Sequence, residues 1–238
     1  MTNRDKENEQ VKLCRDAKES HSHDISILIN RVLKAGHNVW LSSDWHLWKR
    51  VTKNSSRCKK RSDFDNIIKT YQNIDPEDIL IFLGDLVDGE FTDKNSLKKV
   101  LLTIPCTKIL VKGNNDLFDN DFYKSCGFKY VTYAFKWNGI LFSHMPQKHD
   151  CKMNIHGHLH KGINAKSNPE YWVPYKFHVD VFDKNRKPIK VLDAIKAQPA
   201  YARTVVVRED KFSQESVDII GNIEWYTYFI LGEDPCDD

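Results

Sequence analysis

Seven side chains able to hold a cation lie in one ordered series between residues 44 and 160: Asp44, His46, Asp85, Asn114, His144, His158 and His160. The set mixes imidazole nitrogens with carboxylate and carboxamide oxygens and contains no thiolate. Such donors suit borderline to hard divalent ions rather than Cu(I) or an iron–sulfur cluster. Taken singly, each has an ordinary explanation. An Asp after a strand usually caps a helix or turns a loop, and a lone histidine such as His144 is often a satisfied core residue. Taken together and in order, they read as a cation site.

The elements that must carry them are legible in the same stretches. The apolar runs VWLSSD, ILIFLGD, KILVKGN and GILFSH each close on a candidate ligand. Short apolar runs of this kind predict buried strands, so the polar residues are expected to gather at one sheet edge. Gly84, Gly113 and Gly157 each directly precede a candidate ligand, where glycine permits a sharp turn. Between the strands, Phe64, Ile67, Ile68 and Tyr71 recur at helical spacing, and a second helix is expected over about 93–102. A helix carrying Ile25, Ile27, Leu28, Ile29, Val32 and Leu33 is expected upstream, capped by Asp24 and ended by Gly36. This alternation predicts an α/β fold. Lys129–Trp137, Gly139–His144 and Phe177–Phe182 read as later strands with fewer helices between them, predicting a second, more antiparallel sheet.

The blocks Asp44-Trp45-His46, Gly84-Asp85, Gly113-Asn114-Asn115-Asp116, His144 and Gly157-His158-Leu159-His160 together resemble the motif series of the calcineurin-like metallophosphoesterases. The resemblance extends over roughly residues 37–195, and HVDVFDKNRKPIKVLDAI looks like the closing segment of small bacterial and phage members. It implies a four-layer α/β/β/α sandwich of two mixed sheets flanked by helices. It also implies two divalent cations, with Mn first and Fe, Zn, Ni or Co as alternatives. By motif position Asp85 would bridge them; Asp44, His46 and His160 would complete one, and Asn114, His144 and His158 the other. Catalysis would run through hydroxide held between the cations, with Asp85, Asn114, Asn115 and Asp116 as the catalytic set.

One block departs from the family pattern. Asn115 stands where the family has a histidine that, paired with the following acid (here Asp116), can protonate the leaving oxygen. A carboxamide donates and accepts hydrogen bonds but delivers no proton at neutral pH. The expected activity is therefore a phosphodiesterase on a nucleotide-type substrate. A phosphomonoesterase, a metal-dependent nuclease and a non-catalytic binding module on the same fold are the alternatives.

Composition agrees with a globular enzyme. The chain has 238 residues, 40% hydrophobic and 29% charged, with a net charge of +3. That balance does not mark it as a polyanion binder overall, and no stretch approaches the roughly 18–20 apolar residues of a membrane span. The N-terminus MTNRDKENEQVK lacks the apolar core of a signal peptide, so six scattered cysteines are read as reduced thiols in a cytoplasmic protein. Three segments are expected: a charged tail and helix (1–36), the metallophosphoesterase domain (37–195), and a β-rich extension with an acidic tail (196–238). The aromatic run at 223–231 reads as core packing or an oligomer surface.

Around the site, LWKRVTKNSSRCKKRSD is basic, and Lys59, Lys60 and Arg61 could clamp an anionic substrate, nucleic acid included. Trp45 and Trp48 could stack on a base. The ordinary alternatives are a solvated loop and two packed aromatics. Of the remaining histidines, His156 could orient a ligand, while His149 and His178 read as surface or packing residues.

Overall fold

The structure is a computed structural model and describes residues 21–47, 61–87, 93–145, 151, 153–158, 176–178 and 187–196. Two mixed sheets, flanked by helices, pack face to face. The first contains β1 (Val39–Ser42), β2 (Ile79–Phe82), β3 (Thr107–Val111), β4 (Phe128–Thr132) and β9 (Ile189–Lys190) in the order β4-β3-β2-β1-β9. Strands β1 to β4 are parallel and β9 is antiparallel to β1. The second contains β5 (Ala134–Trp137), β6 (Ile140–Ser143), β7 (Met153–His156) and β8 (Lys176–His178) in chain order.

Strand periodicity sorts the first sheet's residues into two cores. Val39, Leu41, Ile79, Ile81, Ile109 and Val111 point to one face and pack against Phe135, Trp137, Phe142 and Ile155 of the second sheet. Leu80, Phe82 and Leu110 point the other way, against Tyr71 of α2 (Arg61–Gln72) and Leu97 and Leu101 of α3 (Lys94–Leu102). A one-residue slip would exchange these faces, so both cores hold the register. Across β5 and β6, Phe135 and Phe142 are register partners with rings stacked at 4.6 Å.

Helix α1 (Ser22–Lys34) closes the side of the inter-sheet core with Ile25, Leu28, Ile29 and Val32. Its serines also satisfy the outer edge of β5: Lys136 N–H donates to Ser22 Oγ at 3.0 Å, and Ser26 Oγ donates to the Lys136 carbonyl at 3.3 Å. A covered edge cannot template pairing with another chain. Asp24 lies within the first turn and His21 occupies the cap position, so the expected Asp24 cap is not formed. The expected stop is present. Gly36 at φ +85° lets His37 N–H reach the Val32 carbonyl and Gly36 N–H the Leu33 carbonyl, which closes the helix end.

Two strand expectations need correction. The run Lys129–Trp137 is not one strand: β4 belongs to the first sheet and β5 to the second, with Tyr133 between them. Thr132 makes the crossing, its carbonyl taking Lys112 N–H while its hydroxyl donates to the Ala134 carbonyl. The second sheet is also less antiparallel than expected: among its described strands β5–β6 is antiparallel, while β6–β7 and β7–β8 are parallel. That parallel set brings the C-terminal ends of β6 and β7 to one rim. Helices α4 (Asn120–Ser125) and α5 (Val191–Lys196) complete the described elements, α4 against β4 and α5 against β1 and β9.

Candidate metal centre

The parallel register aligns Ser42 with Phe82 and Phe82 with Leu110, so three strands of the first sheet end at one level. In the second sheet Ser143 aligns with His156. Asp44, Asp85, Asn114, His144 and His158 follow these ends within a few residues. The loops continue the ladder: Asp44 N–H donates to the Gly84 carbonyl and His46 N–H to the Asp85 carbonyl, each at 2.9 Å. Two contacts then bind the sheets together at the rim. His144 Nδ1 meets the Leu83 carbonyl at 2.6 Å, and His158 N–H donates to Asp44 Oδ2 at 3.0 Å.

Backbone strain is concentrated in the same residues. Asp44, His46, Asp85 and His158 have φ of 57°, 43°, 56° and 70°. That left-handed region costs an L-residue roughly 1–2 kcal/mol, and such strain persists where the surroundings over-determine it. Gly84 shares it at φ +83°, as a turn glycine should. Gly113 and Gly157 are required for a different reason. A Cβ on Gly113 would strike the Asp85 carboxylate, and one on Gly157 would strike Ser43 and Asp44.

The side chains form two groups that share one member. Asp44, His46 and Asp85 offer ligand atoms within 4.8 Å of one another, as do Asp85, His144 and His158. His46 Nε2 lies 3.7 Å from Asp44 Oδ1 and 3.5 Å from Asp85 Oδ2. His144 Nε2 lies 3.4 Å from Asp85 Oδ1, 3.1 Å from Asn114 Oδ1 and 3.2 Å from His158 Nδ1. Because the Leu83 carbonyl can only accept, His144 Nδ1 carries a proton. Its Nε2 therefore faces a carboxylate oxygen, an amide oxygen and a ring nitrogen at once. One proton there can serve only one of these acceptors, whereas a cation can engage all of them. The donor set fits a divalent ion.

Electrostatics follow from the same geometry. Burial alone would raise the Asp85 pKa, but facing His144 and His46 hold it well below the usual carboxylate range, against the like charge of Asp44. Burial alone would lower His144; the Asp85 carboxylate outweighs it and, with Asp44 and the Leu83 carbonyl, pushes it up to about 10. A cation held here would take the place of that proton.

Asn115 and Asp116 turn inward. Asn115 Nδ2 donates to Asp85 Oδ2 at 2.7 Å, and its main-chain N–H donates to Asp85 Oδ1 at 3.0 Å. Asp116 is buried and accepts three main-chain N–H groups: Asp85 and Gly113 at 2.8 Å on Oδ2, and Leu86 at 3.0 Å on Oδ1. Burial first and the Asp85 charge second push its pKa up to about 6. In the family pattern this acid is paired with a histidine at the preceding position; here both of its oxygens are engaged by the loop backbone.

Trp45 also needs correction as a base-stacking residue. Its ring is wholly buried, edge-on to Tyr71 at 4.7 Å and to Phe82 at 4.6 Å, and Nε1 donates to Ser42 Oγ at 2.8 Å. Large apolar area and a satisfied N–H account for its place in the core. Trp48, Lys59, Lys60, His149, His160 and the 223–231 run lie outside the described residues. Arg61 begins α2, and His178 is the register partner of His156. His156 Nδ1 is 2.8 Å from the Gly157 carbonyl, so that nitrogen braces the turn rather than a ligand ring.

Ser43 was not singled out in the sequence. Its buried hydroxyl contacts the Asp44 carboxylate and lies 2.9 Å from the Leu83 carbonyl. The available signal was two serines ending an apolar strand immediately before an aspartate.

The chain is similar to the Aquifex aeolicus protein of unknown function AQ665, with a TM-score of 0.52 and 22% identity over 67% of this chain and 98% of that one. It also matches the Pseudomonas putida nuclease MPE at a TM-score of 0.37 and 17% identity, over 51% of this chain and 61% of that one. No curated protein matches the sequence. The calcineurin-like phosphoesterase family model matches residues 37–212, most of the chain's length. On that match, and with these clustered Asp and His side chains at one rim, the chain belongs to the calcineurin-like phosphoesterase family.

Proposed function

We propose that this protein is a dinuclear-metal-dependent phosphodiesterase acting on a nucleotide-type substrate. Family membership carries the coarser reading, metal-dependent hydrolysis of phosphoesters. The observation that supports two cations is the sharing of Asp85: Oδ2 faces His46 and Oδ1 faces His144, so one carboxylate serves both ligand groups. Bound divalent ions, manganese foremost, would neutralise the phosphate oxygens and acidify a water molecule between them. Asp44, His46 and Asp85 would hold one, with His160 added by motif position; Asp85, Asn114, His144 and His158 would hold the other.

The diester preference rests on residue 115. Its amide points at Asp85, and an amide has no proton to give a leaving alkoxide. General acid catalysis is typically worth about 10²–10⁴-fold, most for poor leaving groups. Without it, substrates whose leaving group departs readily are favoured, among them aryl diesters and 2′,3′-cyclic phosphates. A diester also carries less negative charge for the site to neutralise. The basic segment including Lys59, Lys60 and Arg61 would attract such an anion, a role tested by whether the salt dependence of KM disappears when all three are neutralised.

Among the described residues no helix is long and apolar enough to cross a membrane. The scattered cysteines, without any C-x-x-C spacing, support a cytoplasmic location.

The test is a matched pair of nitrophenyl mono- and diesters with Mn added. Diester cleavage should be faster, and Asn115→His should shift the ratio toward monoesters. Faster monoester cleavage by the unaltered protein would refute the preference. A nuclease is the second reading, and digestion of single-stranded and duplex DNA and RNA separates it from a small-nucleotide enzyme.

A further inference from the structure

We infer that Asn115 is a positioning residue that clamps the Asp85 carboxylate so that one oxygen faces each ligand group, an assignment that rests on the dinuclear reading above. A carboxylate on a single χ2 bond can rotate, and a rotated Asp85 would present its oxygens unequally to the two groups. Four contacts fix its plane. Oδ1 takes Asn115 N–H at 3.0 Å and faces His144 Nε2 at 3.4 Å; Oδ2 takes Asn115 Nδ2 at 2.7 Å and faces His46 Nε2 at 3.5 Å. Among the described residues, Asn115 thus supplies a donor to each of the two carboxylate oxygens.

The geometry suits an amide in particular. Main-chain N–H and side-chain Nδ2 of one asparagine reach the two oxygens of one carboxylate, leaving the remaining lone pair on each for a cation. The neighbouring residue completes the grip, because Asp116 holds the Asp85 main-chain N–H at 2.8 Å. Residues 115 and 116 therefore hold the shared ligand by its side chain and its backbone. Asn115 acts at the metal centre through Asp85 and makes no claim on the substrate. Hydrogen-bonding partners of metal ligands typically contribute roughly 10–100-fold to metal affinity.

The experiment compares Mn binding by the full-length protein, Asn115→Ala and Asn115→Leu, using calorimetry and electron paramagnetic resonance, with circular dichroism to verify folding. Leucine keeps the branched shape of asparagine and lacks the donor, so it separates hydrogen bonding from space filling. The unaltered protein should bind two Mn ions and show a spin-coupled signal. Both variants should remain folded, lose roughly 10–100-fold in affinity for one equivalent, and show a weakened coupled signal. Unchanged affinity and coupling in both variants would overturn the clamp while leaving the dinuclear reading intact. Normal behaviour in Asn115→Leu with loss only in Asn115→Ala would also overturn it, in favour of packing. Failure of the unaltered protein to bind Mn at all would overturn the metal reading itself.

Discussion

Asp116 reaches back thirty-one positions and takes the main-chain N–H of Asp85 on its carboxylate at 2.8 Å. The same oxygen takes Gly113 N–H, and its partner oxygen takes Leu86 N–H. One buried side chain thus ties the loop after β3 to the loop after β2, which holds the strained backbone of Asp85 in place.

Replacing Asp116 with Asn should destabilise the fold. The amide can present an acceptor to one side, but its NH₂ group would then meet main-chain N–H donors. A buried donor left without an acceptor costs about 1–3 kcal/mol, which for a chain of this size lowers Tm on the order of 5 °C. Thermal unfolding of the metal-free protein measures it, and an unchanged Tm would contradict the bracing role.

Asp85→Asn should leave the fold and remove most activity together with at least one bound cation. The amide keeps the shape of the carboxylate and loses the shared negative charge facing His46 and His144. Elemental analysis after Mn loading, beside a nitrophenyl diester assay, is the check. Full metal content in this variant would mean that Asp85 is not the shared ligand.

Gly157→Ala should disable the site without replacing a candidate ligand. Its new Cβ would overlap Ser43 Oγ and the Asp44 carboxylate. Both are buried and bonded at the inter-sheet rim, so neither can retreat without moving the other. Mn affinity should fall by at least tenfold on the scale of other losses around metal ligands. Native-like binding would show that the rim can relax there.

Cys106 should resist alkylation in the native protein. Burial pushes its thiol up to about 11, with Lys108 opposing the shift in part. The folded value stands above the ordinary 9.0, so the fold favours the neutral thiol. That contribution to stability is present below about pH 9 and is lost as pH rises through about 11. Iodoacetamide at pH 8 followed by peptide mapping should leave Cys106 unmodified until denaturant is added. Rapid native labelling would place it nearer solvent than the structure does.

Much of this site was legible because its parts are local. A candidate ligand at the end of an apolar run needs only strand periodicity to be placed, and Asp44, Asp85 and His144 each announce themselves so. Gly84 carries its own signal too, as a turn residue beside a ligand. Helix α1 and its Gly36 stop follow from spacing and one left-handed residue.

Contacts between distant segments were not legible, because they depend on where two sheets meet. Nothing local distinguishes Trp45, buried on Tyr71 and Phe82, from a tryptophan left exposed beside a site. Gly113 and Gly157 read as turns, yet their missing side chains make room for Asp85 and Asp44 across the rim. The division of Lys129–Trp137 between two sheets likewise depends on which partners each half finds. The candidate ligands and their order were readable without the fold, since residue type and strand period are properties of short segments. That Asn115 and Asp116 turn inward to Asp85 emerges with the packed fold, because hydrogen-bond direction is set by groups some thirty residues apart.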